Sequence, residues 1–258
     1  MDTLTLKTED NIQISANHYM GGFDRVIIIC PGFMMHKDSR PFLLLSDRLS
    51  RSFNIITMDF RGHGSSKGSY TFTSREHYDL RAVVDFALPR YKSIYILGFS
   101  LGAAVAINET ALKKNIARLM VVSAPSDFAR IENRFLRMDV ILSTLRKFDL
   151  KMALTRFGNI LLSKPRPIEH IDKLSPIPVL FLHGGRDSIV MPGHSRSLYE
   201  RAGEPKRLVV WKDCLHAEDV FLGDHFNNFV ALCTEWFNEN DKTHDTRHKT
   251  QENRKTNG

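Results

Sequence analysis

Three residues far apart in the chain have side chains that can cooperate in one kind of chemistry: Ser100, Asp187 and His216. A serine hydroxyl is a poor nucleophile until a base removes its proton. An imidazole can be that base, and a carboxylate can hold the imidazole in the tautomer and orientation that accept the proton. Taken singly the residues say little, because a loop aspartate or histidine is usually just solvated. Their order and setting say more. Ser100 is the centre of Gly98-Phe99-Ser100-Leu101-Gly102, Asp187 follows His183-Gly184-Gly185-Arg186, and His216 follows Lys212-Asp213-Cys214-Leu215. Serine, acid, histidine, each in a separate loop, is the order of a Ser-His-Asp triad on a strand–turn–helix topology.

The elements that must position these loops are legible from hydrophobic patterning. Ile94-Tyr95-Ile96-Leu97 runs into Gly98 to Gly102 and then into Ala103-Ala104-Val105-Ala106-Ile107. That reads as a buried strand, a tight turn and a buried helix. Glycines two before and two after the serine let strand and helix backbones approach where a Cβ would clash. Apolar runs of the same kind occur at Val26–Cys30, Ile55–Met58, Leu119–Val122, Val179–Leu182 and Leu208–Trp211. Continuous apolar runs suit strands covered on both faces. Helical stretches are expected at about 41–51, 75–88, 101–113, 193–203 and 223–238. Residues 3–19 alternate in two short runs split by Glu9-Asp10-Asn11, a hairpin at an antiparallel edge. The chain therefore reads as α/β, a mostly parallel sheet with helices on both faces and reactive loops at the strand carboxyl ends.

Two further loops fall at that end. Cys30-Pro31-Gly32-Phe33-Met34-Met35-His36 follows the first parallel strand. Gly32 lets the backbone turn, so the Phe33 amide could point into the site beside that of Leu101, two N–H groups suited to the oxyanion of a tetrahedral intermediate. Asp59-Phe60-Arg61-Gly62-His63-Gly64-Ser65-Ser66 follows the next strand. It lacks the Lys-Ser/Thr of a phosphate loop and the further ligands of a metal site, so it reads as structural, tied down by Asp59 and Arg61. Asp127 competes with Asp187 for the role of acid. The Gly-Gly-Arg-Asp turn favours Asp187, whereas Asp127 can simply favour the N-terminus of a helix after Ser126.

Between Val122 and Val179 lies a candidate helical cap, about residues 126–175, inserted after the sixth strand. Phe128, Ile131, Phe135, Met138, Leu142 and Leu145 recur at three- and four-residue steps, and Leu150, Leu154, Phe157 and Leu161 make a second stripe. Set over Ser100, such stripes would line an acyl pocket or pack on the sheet. Met34, Phe128, Phe135 and Met138 are the candidate pocket residues. Residues 1–238 then form one domain, and 239–258 a polar, disordered tail in which His244 and His248 make a poor metal site.

Composition bounds the rest. The chain has 258 residues, 42% of them hydrophobic and 25% charged, with a formal charge of +7. Residues 126–177 hold ten Lys/Arg against six Asp/Glu, too diffuse for a nucleic-acid footprint but enough to leave transient contact with lipid headgroups or acidic substrates open. No apolar run nears the ~20 residues that span a bilayer, and no signal-peptide order opens the chain. Three cysteines, Cys30, Cys214 and Cys233, without metal-type spacing suit reduced thiols and a cytoplasmic location.

The chain resembles the α/β-hydrolase-fold serine hydrolases over roughly residues 3–238. The marks are Pro31-Gly32-Phe33, the Asp59–Ser66 loop, Gly98 to Gly102, His183-Gly184-Gly185-Arg186-Asp187 with Val190 and Pro192, and His216. The pattern is similar to small cytoplasmic esterases and to lysophospholipase-like or acyl-peptidase-like groups. The resemblance implies Ser100 as nucleophile, Asp187 as acid, His216 as base and the Phe33 and Leu101 amides as oxyanion hole, with no cofactor or metal. It departs from the family at Cys30-Pro31-Gly32, where a His-Gly pair often stands, and at Glu218, whose charge beside His216 would hold the loop or reject anionic substrates. The expected activity is hydrolysis of a carboxylic ester with an apolar acyl group through an acyl-serine. Thioester hydrolysis, acyl transfer and amide cleavage use the same apparatus, and a non-catalytic small-ligand binding module is the alternative of a different class. Oligomeric state is not legible.

Overall fold

A computed structural model describes residues 1–128, 131, 155–159 and 161–239. Eight strands form one sheet: β1 (Asp2–Lys7), β2 (Gln13–Tyr19), β3 (Arg25–Cys30), β4 (Asn54–Met58), β5 (Ser93–Phe99), β6 (Arg118–Val122), β7 (Val179–Gly184) and β8 (Lys206–Trp211). Their spatial order is β1-β2-β4-β3-β5-β6-β7-β8. The β1–β2 and β2–β4 pairs are antiparallel and the remaining pairs parallel, so the expected hairpin sits at one edge. The five expected helices are α1 (Arg40–Leu49), α2 (Glu76–Ala87), α3 (Leu101–Lys113), α4 (Gly193–Arg201) and α5 (Gly223–Asn238).

The period of two along a strand divides the core between the faces. Val26, Ile28 and Cys30 of β3 pack with α2, α3 and Leu198 of α4, while Ile27 and Ile29 pack with Phe42, Leu45 and Leu49 of α1 and Phe229, Cys233 and Phe237 of α5. All five side chains from Val26 to Cys30 are fully buried. At roughly 1.5–3 kcal/mol for each large apolar side chain, this two-sided burial fixes the strand carboxyl ends from which the reactive loops emerge. From β3 the sheet grows one way to β4 and the other way to β5, the kind of switch point at which α/β sheets open a crevice for ligands. The loop after β3 carries Phe33 and the turn after β5 carries Ser100.

One expectation needs correction. The second apolar stripe is not helical where it is described. Tyr70 N–H donates to Arg156 C=O at 2.7 Å and Gly158 N–H to Tyr70 C=O at 2.8 Å, so residues 156–158 run extended beside Tyr70. Gly158 and Asn159 favour that outcome over a helix, and Phe157 and Leu161 are exposed. The hairpin strand β2 also carries buried polar residues. Ser15, Asn17 and His18 of β2 are buried, and each has a polar partner: Ser15 N–H donates to Ser66 Oγ, Asn17 Nδ2 to Asp38, and His18 pairs with the Tyr91 hydroxyl. The cap positions Phe135 and Met138 and the tail from residue 240 lie outside the described residues. Among the described residues, no helix is long and apolar enough to cross a membrane.

Candidate active site

Ser100 is 2% exposed and sits between β5 and α3 at φ +48°, a left-handed conformation rare for a residue with a side chain. Its N–H donates to Val122 C=O of β6 at 2.8 Å. The surrounding glycines are sterically required. A Cβ at Gly98 would lie 2.7 Å from Ala103 Cα, and one at Gly102 would overlap the carbonyl oxygens of Cys30 and Pro31. That close approach brings the first turn of α3 against the loop after β3. Helix geometry leaves the amides of Leu101 and Gly102 without an intrahelical acceptor and puts partial positive charge there.

The structure brings the three sequence-predicted residues together. Ser100 Oγ is 2.9 Å from His216 Nε2, and His216 Nδ1 is 2.7 Å from Asp187 Oδ2. With Nδ1–H donating to the carboxylate, Nε2 is the acceptor that faces the serine hydroxyl. The Asp187 turn is as tightly determined. Its Oδ1 accepts the N–H groups of Ile189 and Val190, each at 2.9 Å. A Cβ at Gly184 would overlap Leu215 C=O, so glycine there lets the acid loop meet the histidine loop. Burial pushes the Asp187 carboxyl up, but the neighbouring His216 and His183 outweigh it and hold the group well below the usual carboxylate range. A charged acid, an imidazole and a hydroxyl in series form a path along which the serine proton can move.

The competing acid is occupied elsewhere: Asp127 Oδ2 accepts from Arg166 Nε and Nη2 at 3.1 and 2.8 Å. Phe33 is half-buried and its ring packs with Tyr70, Phe72 and Phe157, at centroid distances of 5.4, 5.5 and 6.0 Å. Phe128 and Ile131 are buried with Tyr70, Leu101, Ala104 and Val190. Met34 is half-buried at φ +61°. Sequence reasoning missed Tyr70, Phe72 and the buried His183. The first two lie in a polar-looking stretch, and the third in a Gly-rich turn valued only for its aspartate. The loop taken as structural is indeed tied down: Arg61 pairs with Asp79 and Asp10, both at 2.7 Å, and Asp59 accepts backbone N–H groups. The side chain of Glu218 lies outside what is described.

Comparison with known proteins bears on the fold and the family. The chain is similar to the uncharacterized protein YfhR of Escherichia coli K12, 26% identical over 181 residues, and to the protein bem46 of Schizosaccharomyces pombe, 28% identical over 184. These matches cover 68% and 70% of this chain but only 57% of each relative. Among solved structures, an esterase of Pyrococcus furiosus superposes with a TM-score of 0.75 at 21% identity, covering 91% of this chain and 90% of that one. An esterase of Rhodococcus sp. does so with 0.74 at 18%, covering 91% and 98%. At these identities the likeness shows the fold. Residues 27–232 match the profile of the Alpha/beta hydrolase family, and the chain belongs to that family.

Proposed function

We propose that this protein is a serine hydrolase that cleaves carboxylic esters with an apolar acyl group. The observation that carries the reading is the unbroken series Ser100 Oγ, His216 Nε2, His216 Nδ1 and Asp187 Oδ2, with spacings of 2.9 and 2.7 Å. His216 takes the hydroxyl proton as Ser100 Oγ bonds to the ester carbonyl carbon, whose π electrons move onto oxygen. The amides of Phe33 and Leu101 stabilise that oxyanion. Collapse of the intermediate breaks the bond to the alkoxide, which leaves with the proton from His216. Water, deprotonated by the same imidazole, then attacks the acyl carbon; the bond to Ser100 Oγ breaks, Oγ takes the proton back from His216, and the acid is released. Asp187 stays ionised and favours the imidazolium.

Phe33 and Phe128, packed in one apolar cluster with Leu101, the residue after Ser100, support an apolar acyl group, and their bulk supports short to medium chains. Each further buried methylene contributes at most about 0.8 kcal/mol, roughly fourfold in kcat/KM. The test is hydrolysis of p-nitrophenyl acetate, butyrate, octanoate and palmitate by the wild type and by Ser100→Ala. The reading expects rates that climb over a few carbons and then stop climbing where the pocket ends, and an inactive alanine variant. Equal turnover by the alanine variant would overturn it. Faster thioester or anilide cleavage would redirect the substrate class while leaving the mechanism in place.

A further inference from the structure

The loop after β4 does more than hold itself together. His63, 3% exposed, lies with Nε2 3.2 Å from Met34 N and Nδ1 3.2 Å from Arg61 O. The Met34 N–H can only donate, so Nε2 is the acceptor, and Nδ1 carries the hydrogen that donates to Arg61 C=O. Met34 is the third residue of a Gly32–Met35 turn closed by Met35 N–H donating to Gly32 C=O at 3.2 Å. A third position with φ near +60° is one that glycine usually fills, and Met34 adopts φ +61°. Phe33, whose amide is a proposed oxyanion donor, is the second residue of the same turn. The loop is pinned again three residues later, where Lys37 N–H donates to Asp59 Oδ1 at 2.6 Å. The other Asp59 oxygen accepts Ser65 N–H at 2.9 Å, and Gly64 approaches so closely that a Cβ there would overlap the carboxylate.

We infer that His63 is a positioning residue for the oxyanion loop: by accepting the Met34 N–H it holds a strained turn in the conformation that aims the Phe33 amide at Ser100. This rests on the hydrolase reading above. His63 also touches the loop through its ring, edge-on to Phe33 at 6.3 Å and to Tyr70 at 4.6 Å between centroids, so packing and hydrogen bonding must be separated. Burial lowers the His63 pKa to about 4, which keeps the ring neutral and Nε2 an acceptor in neutral solution.

Two substitutions make the separation. His63→Phe keeps the ring and removes the acceptor, whereas His63→Gln removes the ring and keeps an acceptor near the Nε2 position. With p-nitrophenyl butyrate, kcat of the Phe variant should fall tenfold or more while KM stays within about twofold. Deleting an oxyanion donor outright costs about 10²–10³, and a displaced donor should cost less. Inhibition by phenylboronic acid, which becomes tetrahedral on the serine, should weaken by a similar factor. His63→Gln should restore most of kcat. Adding Met34→Gly to His63→Phe should recover part of the loss, because glycine takes φ near +60° without strain. A Phe variant with wild-type kcat, or a Gln variant that loses as much as Phe, would overturn the inference. Should His63→Phe fail to fold, His63→Gln decides: kcat retained upholds the acceptor role, and a tenfold loss at an unchanged melting temperature overturns it. Ser100→Ala in the same assay keeps the two claims apart, since an active alanine variant would defeat the hydrolase reading itself.

Discussion

His183 Nε2 lies 3.3 Å from Asp187 Oδ2, the same oxygen that meets His216 Nδ1 at 2.7 Å. One carboxylate oxygen is thus shared by two imidazoles, one facing the serine and one fully buried behind it. His183 Nε2 is also 2.7 Å from Val190 O, which requires a hydrogen on Nε2, and Nδ1 accepts the Ser195 hydroxyl at 2.6 Å. Replacing His183 by leucine leaves the Val190 carbonyl and the Ser195 hydroxyl buried without this partner. At about 1–3 kcal/mol for each unsatisfied group, a loss of about 3 kcal/mol is expected. Thermal melts should show a midpoint lower by roughly 6–12 °C. An unchanged midpoint would mean that this histidine supports nothing.

Asp187 and Asp127 should separate cleanly in kinetics. Asp187→Asn keeps the shape of the turn but removes the charge that orients His216, and turnover should fall by about 10⁴. Asp127→Asn weakens a pairing with the half-exposed Arg166 and leaves the Asp187–His216 contact in place, so turnover should stay within a few-fold. Steady-state rates for both variants check the assignment, and the reverse pattern would transfer the role to Asp127.

Much of this arrangement was legible because it depends on backbone packing. The runs Val26–Cys30 and Ile94–Leu97 are apolar since both faces of the sheet are covered, and that same burial puts their following loops at one end. The glycines around Ser100 were readable for the same reason, as a Cβ has nowhere to go. The acceptor role of His63 was not readable, because nothing in its spacing shows that a loop 29 residues earlier turns its Met34 N–H toward it. Nor was His183, since a buried histidine that pairs behind Asp187 looks like any other strand-end residue. The partners of the buried polar residues of β2, Ser66, Asp38 and Tyr91, were not readable either, because they come from distant parts of the chain. Residues 156–158 misled for a related reason. Their backbone bonds go to Gly62 and Tyr70, contacts that a helical period cannot foresee.

Glycine positions give a paired test of close packing. A methyl group at Gly102 would press on the carbonyls of Cys30 and Pro31 in the loop after β3, whereas Gly193, at the start of α4, has open space. Gly102→Ala should lower kcat a hundredfold or more, or prevent folding. Gly193→Ala should leave kcat unchanged and hold or slightly raise the melting temperature. Loss at Gly193 equal to that at Gly102 would contradict the packing argument.

Acid stability should depend on Asp10. Hydrogen bonds from Arg61, acting against partial burial, lower its carboxyl from 3.8 to about 2. A carboxyl depressed in the folded state contributes stability that is fully present above its unfolded value and is lost as pH falls through the folded one. The advantage of the wild type over Asp10→Asn should therefore be complete at pH 5 and shrink toward pH 2. Urea midpoints of both proteins at pH 5 and 2.5 read this directly, and a gap that stays constant or widens in acid would refute it.

The claim that Ser100 is a covalent nucleophile admits the most direct measurement. Intact protein treated with a fluorophosphonate probe is weighed by mass spectrometry, alongside Ser100→Ala treated in the same way. The arrangement of Ser100, His216 and Asp187 predicts a single adduct on the wild type, mapped to Ser100, and none on the alanine variant. Labelling of the alanine variant at the wild-type rate, or a folded wild type that takes up no probe, would contradict it.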